Sequence, residues 1–423
     1  MLRLVHARVA VLLCVLLGGP RLFAAEQFLF TDEPNTDAEA WLVSQPSAEE
    51  APSAAAPRAT RSSARSSYAR LARAPNMYGD SFGNAGQLGE QGLFGVPLDP
   101  KNTIFFKGNP GIFVDLPPIG GGGTKVAENN KSLPADRVYF NYNGFQNAIT
   151  VGQPVPRDSN LNHYTAGFEK TFFDGQWSVN FALPFTNRIA LNTDAFSLGA
   201  GHLGNVSVFL KHLAYSNDEF AVSSGLGVRL PTGSDLTGQT HQRNELTGRI
   251  DRQTLVIQNQ AVHLVPYVGF LSAPSDNWFV QGFMDVDLAA NGNAVDLGTP
   301  AQRVGLLTEQ NLFHLDLSAG RWIYQNPEAT YFTGAAAVIE LHYTSTIQDA
   351  DRFALPTNPF NGPYVNGEFR NLANRTDVLN LTSGVQFQIG YLSNLRVACV
   401  VPVRNQPNRQ FDSEIQVSFN RFF

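Results

Sequence analysis

Four residues of types that bind metal ions recur at period-two spacing in two segments: His314 and Asp316, then Glu340 and His342. If both segments are β-strands, alternate residues point to one side, so each pair presents its side chains together. Imidazole and carboxylate groups bind several transition metals. The register between neighbouring strands does not follow from sequence, which makes this signal weak, and we predict no metal and no cofactor.

Serine-hydrolase chemistry needs a Ser nucleophile, a His base and a polar group that orients the base. The segment HYTST at 342–346 brings His342 near Ser345, but strand alternation directs the two side chains to opposite sides. The chain contains neither a Gly-x-Ser-x-Gly motif nor a His-x-Ser pair. We therefore predict no catalytic residues and no enzyme activity, and an outer-membrane phospholipase-type hydrolase is the least favoured alternative.

Composition favours a chain built from strands and turns. Of 423 residues, 37 are Gly and 31 are Phe, and charged residues make up 16%, against roughly 25% in ordinary soluble domains. The net charge of −6 is small for this length and argues against a nucleic-acid partner. Beyond the N-terminal segment no apolar run reaches the length of about 18 residues that a membrane helix needs, so a membrane would be crossed by strands.

Polarity alternates with period two along many segments of about ten residues, the length with which a tilted strand crosses a bilayer. In WSVNFALPF, Trp177, Phe181 and Phe185 share one side, while Ser178 and Asn180 hold the other. The same alternation predicts twelve strands, near 137–146, 162–173, 176–185, 204–214, 220–230, 262–272, 278–288, 312–322, 334–344, 378–390, 395–403 and 411–423.

Tight turns such as 174–176 and 392–394 alternate with longer connections such as 231–261 and 345–377. Such alternation with an even strand number is typical of a meander closed into a membrane barrel, and a soluble β-sandwich is the alternative. Large aromatic residues share one side of strand after strand, which favours the barrel. We predict an all-β fold, a closed antiparallel transmembrane β-barrel of about twelve strands.

The last strand, SEIQVSFNRFF, ends on an aromatic residue. Because a bilayer tolerates no free strand edge, we expect this strand to pair with the first and to face lipid with Ile415, Val417, Phe419 and Phe423. Phe419 and Phe423 resemble the C-terminal assembly signal of bacterial outer-membrane proteins. That resemblance implies outer-membrane lipids and the barrel assembly machinery as partners, while the oligomeric state stays open.

Four regions follow from the sequence. Residues 1–25 have Arg3 and Arg8 before a short apolar core, as in a cleaved signal peptide, which predicts export to the outer membrane of a Gram-negative-type bacterium. Residues 26–75, rich in Ala, Ser, Pro and Arg, are predicted to form a disordered arm. The Gly-rich segment 76–131 is either a plug or a periplasmic piece, and 132–423 is the barrel.

Charged and imidazole side chains recur on the predicted inward side of most strands. They are Glu169, Lys211, Arg229, Asp285, Asp287, His314, Asp316, Glu340, His342, Arg396 and Glu414. Charge within a membrane span requires water or a partner, so these groups either pair across a filled interior or line a pore that selects a solute. Six acids against three bases would slightly favour cations or neutral polar compounds.

The stretches WSVNFALPF, GHLGNVSVFLKHL and FAVSSGLGVRLPTGSD resemble a family of outer-membrane barrels assigned to a MetA pathway of phenol degradation. The matching positions are Gly204, Asn205, Lys211, Gly225, Gly227, Leu230, Pro231, Thr232 and Gly233, within roughly 163–233. The resemblance implies a transporter-like channel that passes small solutes, aromatic or other organic compounds among them, by diffusion. A structural or surface-anchoring barrel is the alternative.

Overall fold

The structure is a computed structural model of the chain. It describes residues 70–80, 91–95, 113–114, 123–152, 157–187, 189–192, 196–200, 203–243, 250–348, 351–354, 368–371, 375, 377–405 and 408–423. The predicted signal peptide and most of the predicted arm lie outside these residues.

Twelve antiparallel strands form a closed barrel. They are β1 (Arg137–Gly152), β2 (Arg157–Phe172), β3 (Trp177–Thr186), β4 (Ser207–Ser216), β5 (Phe220–Arg229), β6 (His263–Ser272), β7 (Trp278–Ala289), β8 (Leu312–Gln325), β9 (Phe332–Thr346), β10 (Asp377–Ile389), β11 (Ser393–Pro402) and β12 (Ser413–Phe422). On β1, Phe140 lies opposite Ala166 of β2 on one side and Phe419 of β12 on the other. The ring has no free edge, and the predicted twelve-stranded all-β barrel is confirmed.

The connections distinguish the two rims of the barrel. Tight turns at 173–176, 217–219, 273–277, 326–331 and 390–392 lie at the rim that also holds the start of β1 and the end of β12, and we call it the short-turn rim. At the opposite, long-loop rim, hairpins from three connections pair into a six-stranded sheet made of 189–192, 196–200, 236–243, 250–257, 293–298 and 301–307.

The outward face of the strands is apolar. Phe168, Val268, Leu317, Ile339 and Val397 are between 39 and 53% exposed. Water disfavours so much exposed apolar surface, whereas the hydrocarbon of a bilayer solvates it, so this face is suited to lipid. No helix in the described part of the chain is long and apolar enough to span a membrane.

The chain that precedes β1 fills the barrel interior. Residues 70–80 enter at the short-turn rim, where Arg70 lies 3.7 Å from Glu219 and from Asp276 in two tight turns. This first segment ends at Asp80, which is fully buried. Residues 123–133 then run back through the interior to the start of β1, and we call 70–80 and 123–133 together the plug.

The plug crosses the barrel interior twice. Between its two parts, residues 91–95 pair with 368–371 in the long connection between β9 and β10, and 113–114 pair with 151–152 at the end of β1. Both pairings lie at the long-loop rim. The chain therefore passes from the short-turn rim to the long-loop rim and returns through the same interior.

Residues 70–75, which composition assigns to the disordered arm, are folded. They include a helical turn at 70–73, and Leu71 and Ala74 are 0% and 3% exposed in an apolar cluster with Phe279 and Trp322. Apolar residues three apart lie on one side of a helical turn, so this turn buries them together. The structured part of the chain thus begins before the predicted boundary at 76.

Interior aromatic rings lie over glycines of the neighbouring strand. Tyr267 of β6 lies against Gly225 of β5, where an added Cβ would come within 2.3 Å of the ring. Phe209 of β4 lies against Gly227 in the same way, at 2.6 Å. Both rings belong to an apolar cluster with Met77 of the plug. The Gly-rich strand β5 therefore makes room for rings that pack against the plug.

Candidate functional site

The eleven side chains predicted to face the lumen are all buried, between 0 and 4% exposed. They are Glu169, Lys211, Arg229, Asp285, Asp287, His314, Asp316, Glu340, His342, Arg396 and Glu414. Most of them bond to one another or to the plug, as detailed below. Their role in selecting a solute stays a prediction.

Glu340 of β9 holds the first part of the plug. Its carboxylate accepts hydrogen bonds from the backbone N–H groups of Tyr78 and Gly79 at 2.9–3.0 Å. Arg396 of β11 lies 4.1 Å from the centre of the Tyr78 ring and donates to the carbonyl of Asn76 at 3.0 Å. Two wall residues therefore fix the backbone of the plug where it reaches the middle of the barrel.

The two parts of the plug meet the wall at Lys125. Its Nζ lies 2.7 Å from Asp80 of the plug and 2.7 Å from Asp316 of β8, and all three side chains are fully buried. Asp316 also bonds to Nδ1 of His342 at 2.8 Å, and Nε2 of His342 lies 3.3 Å from Glu340. We call Asp80, Lys125, Asp316, Glu340 and His342 the Lys125 cluster.

The four residues first considered as metal ligands do not converge on one ion. His314 bonds to Asp285 at 2.6 Å instead of joining Asp316. Ligand atoms of Asp80, Asp316 and His342 do lie within 4.8 Å of one another. The Lys125 ammonium already provides the positive charge between these two carboxylates, so the cluster is compensated without a metal.

Two further ion-pair groups connect strands inside the barrel. Glu169 of β2 lies 2.9 Å from both Arg137 and Lys211. Toward the long-loop rim, Asp287 lies 2.8 Å from Arg229 and 2.6 Å from His263. Removing one partner of such a buried pair leaves an uncompensated charge, so these groups brace the wall.

Two buried carboxylates have only neutral hydrogen-bond partners. Glu128 of the plug accepts from Asn141 at 3.3 Å and from Thr165 at 3.4 Å. Glu414 of β12 accepts from Asn143 at 2.7 Å and from Gln416 at 2.9 Å. All four bonds reach Oε1, and Oε2 of each carboxylate is buried without a hydrogen-bond partner. We call this part of the interior, formed by β12, β1 and β2, the Glu128–Glu414 wall. It differs from the Lys125 cluster because its carboxyl groups have no basic partner.

The candidate nucleophile Ser345 lies on the outward side of β9, where it bonds to Asp377. His342 is buried on the inward side and bonds to Asp316. The strand therefore separates these two side chains, as alternation predicts. They do not form a nucleophile–base pair.

At the short-turn rim, outside the membrane-spanning strands, Asp136 joins the first strands to the end of the chain. Its carboxylate accepts from the N–H and hydroxyl of Thr171 and from Lys170, at 2.6–2.9 Å, and its carbonyl accepts from the N–H of Phe423 at 3.2 Å. Partial burial raises the pKa of Asp136, but the hydrogen bonds outweigh it and hold the pKa below its usual value.

The predicted C-terminal assembly residues lie on the outward side of the same seam. Phe419 is 43% exposed and Phe423 is 64% exposed, and Lys170 Nζ lies 5.2 Å from the centre of the Phe423 ring. A recognition role for these two residues stays a prediction.

Several interior residues are not among those predicted from the sequence. They are Asp80, Lys125, Glu128, Asn129 and Arg137, all at most 3% exposed. Arg137 follows the inward parity of β1 and was accessible to the same alternation argument. The other four lie in a segment without periodicity, where isolated charges in a Gly-rich stretch were the only signal.

Comparison with known proteins finds solved structures of similar barrels but identifies no family. No family model matches the chain, and no curated protein matches it. The resemblance to the MetA-pathway family therefore stays a prediction.

Three solved structures illustrate the likeness. An outer-membrane channel from Pseudomonas putida F1 is 12% identical with a TM-score of 0.42, over 69% of this chain and 96% of that one. The β domain of the Bordetella autotransporter BrkA is 12% identical with a TM-score of 0.40, over 68% and 100%. The toluene transporter TbuX of Ralstonia pickettii is 9% identical with a TM-score of 0.33, over 72% and 96%. At TM-scores this low, the fold assignment rests on the strand pairing itself.

Proposed function

We propose that the protein is an outer-membrane channel that passes small solutes through the barrel interior, with the plug restricting their passage. The observation that carries this proposal is the chemistry of the interior. Charged and amide side chains line it on most strands, although apolar side chains face the other way into lipid.

The energetic cost of such an interior supports a transport role. Burying ions costs several kcal/mol per group before pairing, and apolar residues of similar volume are often at least as stable. A barrel that served only as an anchor would gain nothing from buried carboxyl groups that lack a basic partner, such as Glu128 and Glu414. A polar interior instead offers hydrogen bonds to a passing solute.

Small polar or cationic compounds fit this interior best. The carboxyl groups of Glu128 and Glu414 have no basic partner among the hydrogen bonds and ion pairs of the described residues, so a cationic solute would be the group that compensates them when they ionise. The family resemblance implies aromatic compounds, and among these the polar or cationic ones suit the interior. Passage by diffusion requires movement of the plug or a path beside it.

Conductance of the full chain in planar bilayers tests the channel. We expect small conductance for the parent and a higher or longer-lived open level for Glu340→Ala, because Tyr78 and Gly79 lose the carboxylate that holds them. Glu328→Gln, in an exposed tight turn, is the matched control and should behave like the parent. Absence of conductance in parent and Glu340→Ala alike, with both inserted, would falsify the channel.

The surface-anchoring alternative has one observation in its favour. Three long connections form a six-stranded sheet at one rim, which is more structure than a diffusion channel requires. In that case, shortening the hairpin Leu236–Arg243 and Ile250–Ile257 should abolish adhesion or display while leaving conductance unchanged.

A further inference from the structure

The two parts of the plug meet each other and the Glu128–Glu414 wall at Gly79. Gly79 has a positive φ of 74°, and a Cβ added there would lie 2.7 Å from Cα of Glu128, so glycine allows this close approach. Gln416 of β12 donates through Nε2 to the carbonyl of Gly79 and to Oε1 of Glu414, each at 2.9 Å. Both carboxyl groups therefore lie where the plug docks on the wall.

The surroundings of these two carboxyl groups favour their neutral form. Glu128 and Glu414 are 3% and 0% exposed, and among the described residues they accept hydrogen bonds from amides and a hydroxyl alone. Oε2 of each is buried without a hydrogen-bond partner. Burying an ionised carboxylate without a basic partner costs far more than burying a neutral carboxyl group, so the docked plug favours the protonated form of both.

The basic groups beside the wall are bonded to other acids or to the plug. Lys125 lies 2.7 Å from both Asp80 and Asp316, and Arg137 lies 2.9 Å from Glu169. The titratable and charged side chains that face the wall from the plug, β1, β2 and β11 are Asp80, Lys125, Lys131, Arg137, Tyr139, His163, Glu169 and Arg396, the last of which donates to the plug. Neither ion-paired cation is therefore available to compensate a carboxylate on the wall.

We propose that ionisation of Glu128 and Glu414 at alkaline pH shifts the plug from its docked state to a released state. Release lets water reach both groups, and in water a carboxyl group is already ionised at neutral pH. The docked state thus binds more protons than the released state, so docking weakens as pH rises. The inference rests on the proposed channel only for its consequence, the passage of solutes, because movement of the plug does not itself depend on conduction.

Lys131 of the plug acts in the opposite direction. It is 6% exposed, its Nζ donates to the carbonyl of Ala72 at 2.8 Å, and Lys211 donates to its own carbonyl at 2.8 Å. Burial beside another ammonium favours the neutral form of Lys131 in the docked plug, whereas water favours its charged form. Release therefore loses two carboxyl protons and gains one on Lys131, which leaves a net loss of one proton.

Thiol alkylation of the full-length protein in detergent measures plug release without requiring conduction. Ala127→Cys, in a background without Cys14 and Cys399, places the thiol at a plug position that is 0% exposed, and the equally buried Met77→Cys is a second probe. Dividing the iodoacetamide rate by that of Glu328→Cys, in an exposed turn, removes the pH dependence of the thiol itself. Between about pH 6 and pH 10 the normalised rate should rise by up to about tenfold per pH unit.

Substitutions of the titrating groups test the assignment. Glu128→Gln/Glu414→Gln should abolish the rise or reverse it through Lys131, and Lys131→Met should steepen it to as much as about a hundredfold per pH unit. Asp218→Asn, in an exposed turn, is the control and should keep the parental slope. A parental rate that does not change with pH, or a folded double variant with the parental rise, would overturn the proposal.

A further variant keeps the test decisive if the double variant lacks the heat-modifiable gel shift of a folded barrel. Lys131→Met/Glu414→Gln retains one titrating carboxyl group, so its normalised rate should rise by about tenfold per pH unit at most. Folded protein with the slope of Lys131→Met alone would contradict the role of Glu414.

Conductance separates this inference from the proposed channel. Alkylation that rises with pH, without conductance at any pH, rejects the channel and retains the pH-dependent release. Conductance together with alkylation that is independent of pH rejects the release and retains the channel.

Discussion

The Lys125 cluster and the Glu128–Glu414 wall are both deeply buried and both rich in carboxylates, yet they are compensated differently. In the cluster, one ammonium lies 2.7 Å from each of two carboxylates, and a histidine bonds to one of them. At the Glu128–Glu414 wall, each carboxylate meets only amides or a hydroxyl. The same residue type therefore serves two purposes in one interior.

The difference indicates which part of the interior is fixed and which part is available. Ion pairs join plug to wall at the Lys125 cluster, so any solute there would have to break them. Amides and a hydroxyl hold Glu128 and Glu414 in place, and no basic group compensates them. We infer that the first region anchors the plug and the second interacts with solutes.

Replacing Lys125 should give the largest effect and test the contrast directly. Lys125→Met keeps the length of the side chain but leaves Asp80 and Asp316 facing each other, which should reduce the free energy of unfolding by about 3–5 kcal/mol. Glu414→Gln removes a carboxylate without a basic partner and should change it by less than about 1 kcal/mol. Urea unfolding in detergent, monitored by heat-modifiable gel mobility, measures the unfolding free energy of both variants. Equal losses in the two variants would contradict the contrast between the Lys125 cluster and the Glu128–Glu414 wall.

A divalent metal should partly rescue Lys125→Met. Without the ammonium, Asp80, Asp316 and His342 offer two carboxylates and an imidazole within 4.8 Å of one another. Zinc at about 100 times its dissociation constant should restore roughly 2–3 kcal/mol to the unfolding free energy. The parent should show no such gain, and neither should Lys125→Met/His342→Gln, which lacks the imidazole.

Ion preference should respond more to the uncompensated carboxylates than to the paired ones. The field of a paired acid is largely cancelled by its partner, so Glu128→Gln/Glu414→Gln should lower cation preference more than Asp285→Asn/Asp287→Asn. Arg229→Gln/Arg396→Gln should raise it. Reversal potentials under a salt gradient report all three, with larger differences at low salt. Identical reversal potentials in every inserted variant would show that these side chains only brace the barrel and do not set its ion preference.

Acid should weaken the rim seam at Asp136 slightly, and this is the smallest expected effect. Because the folded-state pKa of Asp136 is lowered, its contribution is present above the ordinary carboxyl pKa and is lost as pH falls through the folded-state value. Its bond to exposed Lys170 is worth on the order of 0.5 kcal/mol. Asp136→Asn should therefore flatten the acid limb of the stability curve below the ordinary carboxyl pKa, while Glu328→Gln should not.

Sequence alone was sufficient for the barrel because strand alternation is a local pattern. Trp177, Phe181 and Phe185 indicate a lipid face without reference to any other strand, and the same alternation predicted that Asp316 and Glu340 face the interior. Tyr267 and Phe209 show the limit of that argument, since they are large aromatics on the inward side. Their room depends on Gly225 and Gly227 across the neighbouring strand, a relation that requires the register.

The contrast between the two carboxylate groups was beyond sequence reasoning for a different reason. Asp316, Glu414 and Glu169 look alike as inward acids on alternating strands. What separates them is which basic group reaches each one. Asp316 meets Lys125 of the plug, Glu169 meets Arg137 and Lys211 of the wall, and Glu414 meets only amides. The wall contacts depend on strand register, and 123–133 has no periodicity from which its position follows. Long-range docking of an irregular segment is a tertiary property.

The double crossing of the plug determines how the plug could leave the barrel. Residue 70 and the start of β1 both lie at the short-turn rim, so the plug is a hairpin whose two ends are on the same side of the barrel. A hairpin can move in or out through that rim while the seam between β1 and β12, where Phe140 lies opposite Phe419, stays closed. Displacing the plug therefore requires breaking the contacts of the Lys125 cluster and the pairings of 91–95 and 113–114, and does not require opening the wall.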